Sequence, residues 1–283
     1  MNLRTLALAG LLLCGFSAAH AAAETATTGP AAIEVTTPAL APTTPTAEAA
    51  PTTAARVLTP PPPLPPELAN AEPTTVAASH ILFRYFTSRD AKTLLRYDEV
   101  RPLALAALER VRRPGADFEA IAKELEKTLE DVHFSRTGPF SRGKLVYTFE
   151  DTVFALPPGA IADHLTSTPF GLHIIRRNPT VHVRHILIQY DGAARATTTR
   201  PRAMARQLIG EIRQEALAPG ADFAALARKL SEAPDAAAGG DVGVFDRGIM
   251  IQAFEDAAFA LRYNEVSPVI ETRHGFHILK RIG

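Results

Sequence analysis

Residues 239–279, GGDVGVFDRGIMIQAFEDAAFALRYNEVSPVIETRHGFHIL, decide how the rest of this chain is read. Gly239, Gly240, Gly243 and Gly248 punctuate a short apolar run, so the backbone there must turn sharply or be approached closely. Phe254, Ala257, Ala258 and Leu261 then recur at three- and four-residue spacing, which places them on one face of a helix. Arg273-His274-Gly275-Phe276-His277 reads as a turn entering a last strand. A helix between short strands cannot cover its own apolar face, so further strands and helices must lie upstream.

They occur twice. Ser79-His80-Ile81-Leu82-Phe83 matches Arg184-His185-Ile186-Leu187-Ile188 at an offset of 105 residues. Gly115-Ala116-Asp117-Phe118 matches Gly220-Ala221-Asp222-Phe223, and Phe149-Glu150-Asp151 matches Phe254-Glu255-Asp256, both at that offset. Gly171-Leu172-His173-Ile174 matches Gly275-Phe276-His277-Ile278 one residue short of it. Four anchors in one register are the signature of two copies of one domain, read here as residues 76–178 and 179–283.

The second copy predicts a β-branched strand over 181–190 and a helix over 201–217, begun near Pro201 and stopped by Pro219-Gly220. Asp222 then caps a helix whose Phe223, Leu226, Ala227 and Leu230 face inward. A short helix or loop follows over 231–238. Beyond it come a strand at 242–245, a helix at 251–261, a strand near Val269 and a last strand at 276–282. The fold class is α+β, with four strands and about four helices in each copy.

Composition narrows the function. The 283 residues carry 30 basic and 30 acidic side chains with no long basic run, which argues against nucleic acid as a partner. The single cysteine, Cys14, falls in the N-terminal leader, so no thiol nucleophile or thiolate metal site is expected in the folded part. His182 and His185 lie three apart on a predicted strand and therefore point to opposite faces. With no carboxylates clustered around the histidines, neither a metal nor another cofactor is expected. No Ser/His/Asp arrangement is legible, which disfavours a hydrolase.

Residues 1–21 read as a secretory signal peptide: Arg4, an apolar run from Leu6 to Phe16, then Ala19-His20-Ala21. Lipid attachment at Cys14 is the rival reading, and Leu13 before it fits that poorly. Residues 22–75 are rich in Ala, Thr and Pro with few large apolar side chains, which predicts a disordered linker. Within it Pro60-Pro61-Pro62-Pro63-Leu64-Pro65-Pro66 should be polyproline II, a spacer or, on a sharper reading, a ligand for the domains behind it. The protein is expected to be exported and periplasmic.

In the second copy HILI at His185, GADFAALA at Gly220, GGDVGVF at Gly239, FEDAAFAL and HGFHIL together resemble the parvulin family of peptidyl-prolyl cis/trans isomerases. The resemblance covers both copies, from about Val76 to Gly283. It implies tandem parvulin-like domains, each a four-stranded, largely antiparallel sheet with surrounding helices and a proline-binding groove. It implies a substrate-binding slot formed by Val242, Met250 and Phe254, with His274 also substrate-binding, above the paired histidines His185 and His277, which with the nearby Thr272 are the catalytic candidates. The first copy's equivalents are His80, Leu145, Phe149 and His173. The implied partners are unfolded or newly exported polypeptides containing X-Pro bonds, and a non-catalytic chaperone or peptide-binding module is the alternative.

Two departures from the family pattern stand out. Where the family has Cys or Asp, the second copy has Ala233 and the first has Thr128; Asp235, two residues on, is the remaining polar candidate in the second copy. The first copy also replaces the glycine pair with Phe134-Ser135 and has Phe170 in the place of His274. The second copy is therefore expected to be the more active. The paired histidines have a plain structural reading as well, two buried imidazoles bonding each other across strands.

Overall fold

The central strands carry buried apolar side chains on both faces because helices cover both. The structure, a computed structural model, describes residues 60–69 and 73–283. The expected signal peptide, Cys14 and most of the linker lie outside the described residues. Strand β1 (Val76–Phe83) pairs with β2 (Val132–Phe140) and β4 (Gly171–Asn178), and β3 (Thr166–Thr168) closes the first sheet in the order β2-β1-β4-β3. The second sheet repeats it with β5 (Thr180–Ile188), β6 (Asp241–Asp246), β7 (Ile270–Thr272) and β8 (Gly275–Arg281), in the order β6-β5-β8-β7. Every pairing is antiparallel.

Alternation along β5 and β8 sets what each face carries. Ile186, Ile188, Phe276 and Ile278 face α5 (Arg202–Leu217) and α6 (Phe223–Leu230) and form one apolar cluster with Ile209, Ile212 and Phe223. Val181, Val183 and Leu279 face the other way, against Phe254, Ala258 and Phe259 of α7 (Gln252–Ala260). His185 and His277 share the parity of this second set, so both rings lie on the α7 side of the sheet. In the first copy α2 (Tyr97–Val111) and α3 (Phe118–Thr128) cover one face, and α4 (Tyr147–Ala155) covers the other.

The helix starts follow the sequence. Asp222 accepts hydrogen bonds from the amides of Ala224 and Ala225, and Asp117 does the same for Glu119 and Ala120. Residues 231–240, between α6 and β6, hold one short 3₁₀ turn at Ala236–Ala238. The end of the proline tract differs from a featureless linker. Residues 60–65 carry no regular element, Pro66–Ala69 make one helical turn (α1), and the carbonyl of Pro62 accepts from Nη1 of Arg281 at 2.7 Å. Arg281, 2% exposed, otherwise spends its guanidinium on Leu261 and Gly283 carbonyls.

Candidate functional site

The two histidines of the second copy sit on its central strands, His185 on β5 and His277 on β8, with Leu187 opposite His277 in the ladder. Their Nδ1 atoms are 3.2 Å apart and the rings stack with an interplanar angle of 15°. Nε2 of His277 lies 2.8 Å from Oγ1 of Thr272, which accepts the backbone N–H of His274. At the other end Nε2 of His185 lies 3.0 Å from both carboxylate oxygens of Asp235.

With both rings neutral, these contacts allow one set of tautomers. An ionised carboxylate only accepts, so Nε2 of His185 carries its proton and Nδ1 is an acceptor. Nδ1 of His277 must then donate to it, which leaves Nε2 of His277 to accept the Thr272 hydroxyl. The result is one directional row of hydrogen bonds, from the amide of His274 through Thr272, His277 and His185 to Asp235. Burial pushes His277 down from 6.5 to about 3, with His185 and His274 adding to the effect and Asp235 opposing it. His277 is therefore held neutral across the physiological range.

Asp235 reaches the ring because the loop before β6 is pinned to β5. The amide of His185 donates to the carbonyl of Gly240, and the amide of Gly240 donates to the carbonyl of Asp235. Gly240 has φ +69°, and a Cβ there would lie 2.0 Å from the His185 carbonyl oxygen, so only glycine permits this approach. Ala233, where the resemblance led to the expectation of a polar side chain, is 6% exposed; its amide donates to Oγ of Ser231 and its carbonyl accepts the amide of Ala236.

A cavity of about 380 Å³ opens above the row. The expected residues His185, Asp235, Val242, Met250, Phe254, Thr272, His274 and His277 all line it, joined by Pro234, Ile249, Ile251 and Arg273. Phe254 stands edge-on to both imidazoles, with centroids at 5.5 and 5.6 Å. Ile249 and Ile251 are 50% and 36% exposed, which makes the mouth apolar and open. His274 turns its Nδ1 to the Ala194 carbonyl, 3.3 Å away. Arg247 covers the Phe259 ring and pairs with Glu255 and Asp256.

The residues that shape this slot include one that periodicity did not single out. Glu255, 3% exposed on α7, folds back and accepts the amide of Gly248, fixing the loop that carries Ile249, Met250 and Ile251. Its repeat partner Glu150 does the same in the first copy, accepting the amides of Gly143, Lys144 and Leu145 at 2.6–2.8 Å.

The first copy keeps the row except for its carboxylate, with the amide of Phe170 donating to Oγ1 of Thr168. Nδ1 of His80 and of His173 are 3.0 Å apart, Nε2 of His173 is 2.8 Å from Oγ1 of Thr168, and Phe149 stands edge-on to both rings. Leu145 is 41% exposed beside them. No carboxylate meets Nε2 of His80 among the described residues. Only Leu129, Glu130 and Asp131 connect α3 to β2, so the long loop that delivers Asp235 has no counterpart. Thr128 closes α3 with its hydroxyl on the Glu124 carbonyl. Burial alone pushes His80 down to about 4, and burial with the neighbouring His80 pushes His173 to about 3.

An apolar slot over a row of oriented dipoles needs no covalent step. It can hold a small ring and present a polar, partly desolvated edge to an amide carbonyl. Among the described residues no group of three or more His, Cys, Asp or Glu is placed to hold a metal ion.

Comparison with known proteins covers both copies. Models described as the PPIC-type PPIASE domain match residues 68–180 and 185–283. The chain is 38% identical over 115 residues to the "Peptidyl-prolyl cis-trans isomerase Pin1" of Digitalis lanata, covering 96% of that protein and 36% of this chain. It is 33% identical over 213 residues to the "Chaperone SurA" of Methylobacillus flagellatus, covering 71% of this chain and 46% of that protein. The chain thus spans less than half the length of the SurA relatives, 35% in the case of Ralstonia nicotianae. Among solved structures, the "Peptidyl-prolyl isomerase ESS1 from Candida albicans" is 33% identical, covering 37% of this chain and 63% of that one with a TM-score of 0.35.

Proposed function

Because the chain belongs to the parvulin family of PPIC-type peptidyl-prolyl isomerases, we propose that its second copy catalyses cis/trans isomerisation of X-Pro bonds in non-native polypeptides. The observation that carries this reading is the complete row from Thr272 to Asp235 beneath an apolar, open slot.

An X-Pro bond resists rotation by about 18–20 kcal/mol because amide resonance must be broken, and it exchanges unaided in tens to hundreds of seconds. Twisting breaks the resonance, which returns the lone pair to nitrogen and lowers the negative charge on the carbonyl oxygen, so a site that favours this form lowers the barrier without making a bond. The pyrrolidine ring enters between Val242, Met250 and Phe254, with Ile249 and Ile251 covering it. The carbonyl before proline then lies against the polar wall made by Asp235 and His185, whose hydrogen-bond direction His277 and Thr272 maintain. His274 borders the segment outside the slot.

The first copy, with Leu145 and Phe149 over His80 and His173 but no carboxylate, binds proline segments with little or no turnover. The 33% identity to a protein named a chaperone favours this holding role beside catalysis. Clients are newly exported chains in the periplasm, as the N-terminal leader suggests; among the described residues no helix is long and apolar enough to cross a membrane. NMR exchange spectroscopy on a short cis-Pro peptide tests the proposal: line broadening or exchange peaks with the full chain support it. Saturable binding without faster exchange leaves the chain a binding module.

A further inference from the structure

Asp246, at the end of β6, is fully buried and yet takes no part in the row described above. A buried carboxylate must be paired, and its partners come from the other copy. Oδ2 accepts from Nη2 of Arg136 on β2 at 2.8 Å and from Nδ2 of Asn178 at the end of β4 at 2.7 Å. The same Arg136 nitrogen also donates to the carbonyl of Arg247. Arg136 lies so close to the next residue that a Cβ on Gly248, φ +88°, would stand 2.7 Å from its Nη1. Glu119 of the first copy holds the guanidinium from behind, 3.7 Å away.

Residues 246–248 lead directly into Ile249, Met250 and Ile251, three walls of the slot. We propose that Arg136 is a positioning residue for the second copy's slot: the first copy clamps, through Asp246 and the Arg247 carbonyl, the loop that carries those walls. The internal repeat supplies the contrast. At the register of Asp246 the first copy has Ser141, whose only hydrogen bond among the described residues is to Thr75, and its own loop is held from within the copy, at Gly143–Leu145 by Glu150 and at Arg142 by Asp151. Both loops thus share the internal glutamate, and only the second carries a clamp from its neighbour. This inference rests on the isomerase reading of that slot.

The test uses the full chain with Arg136→Gln. With loop geometry loosened but the row intact, binding of substrate and transition state weaken together, so KM rises by about threefold or more while kcat stays within about twofold. Amide hydrogen exchange speeds up at residues 248–251 and stays unchanged at 143–146. Arg136→Gln leaves the Asp246 carboxylate buried and short of its cation, so Arg136→Met with Asp246→Asn serves as the second variant: it removes the charge pair, keeps Asn178 bonded and gives the same KM rise. KM and loop exchange equal to wild type in both variants would overturn the inference. Should the wild-type chain fail to accelerate prolyl exchange, the isomerase reading falls, and the amide exchange at 248–251 still decides whether Arg136 holds the loop.

Discussion

Asp235 places both carboxylate oxygens 3.0 Å from Nε2 of His185, although it stands two residues beyond Ala233, where the resemblance led to the expectation of a polar group. The backbone, not the side chain at 233, makes up the difference. The Gly240 carbonyl receives the amide of His185, and its amide ties back to Asp235, which swings the carboxylate over the ring.

If that carboxylate orients the row, Asp235→Ala lowers kcat by about tenfold to a hundredfold, the equivalent of a charge-assisted hydrogen bond worth about 1.5–3 kcal/mol. Adding Ala233→Asp to the same chain restores part of the loss, since that side chain leaves from the same loop. Steady-state exchange rates on one cis-Pro peptide decide it; unchanged kcat in Asp235→Ala rules out the orienting role.

The slot residues separate by burial. Met250 is only partly buried, so Met250→Ala raises KM with little change in melting temperature. Phe254 is 7% exposed and packs on both imidazoles and on Phe245, so Phe254→Ala costs about 3–5 kcal/mol of stability as well as activity. Thermal melts beside peptide titrations distinguish the two, and an unaltered KM for Met250→Ala would remove it from the slot.

His277 is predicted to matter more for stability than for activity per folded molecule. Removing its ring leaves the Thr272 hydroxyl and Nδ1 of His185 without their partners, at about 1–3 kcal/mol for each buried unsatisfied group. Normal melting of His277→Ala with abolished turnover would contradict this.

The buried histidines also set a pH dependence. His80, His173 and His277 are held near 4, 3 and 3 in the folded chain against 6.5 when exposed. Below 6.5 the unfolded chain takes up protons that the folded chain refuses, so stability is full above about 6.5 and falls as pH drops towards 4 and 3. Asp131, held at about 2 by the amides of Lys92 and Thr93 with His133 and Arg84, adds its loss only below about 4. Urea midpoints at pH 7 and pH 5 should therefore differ, with pH 5 lower. A flat profile between them would mean that the rings are solvated.

Most of the fold was legible because it rests on local rules repeated twice: β-branched strands, Gly-Ala-Asp-Phe helix starts, and an apolar α7 face. The slot was legible through Met250 and Phe254 only because of their place within the whole parvulin-like signature, since their helical spacing alone reads as core. Asp235 was less so, since its reach depends on a backbone bond between Gly240 and His185 that no side-chain pattern announces. Glu255 was visible as part of a motif, but not as the brace of the loop before it. Asp246 and Arg136 lie far apart in sequence, and their pairing depends on how the second sheet sits beside the first. The short connection between α3 and β2 likewise shows up only once α3 is seen to run on to Thr128, leaving His80 without an acid.

The central claim is that the second copy's row and slot, not the first copy's, turn over prolyl bonds. It is tested by NMR exchange of one cis-Pro peptide with the full chain carrying Asp235→Ala and Met250→Ala, beside the full chain carrying His80→Ala and Leu145→Ala. Loss of exchange in the first pair with near wild-type rates in the second is the expected result. The reverse pattern, or full activity in both, would contradict the account.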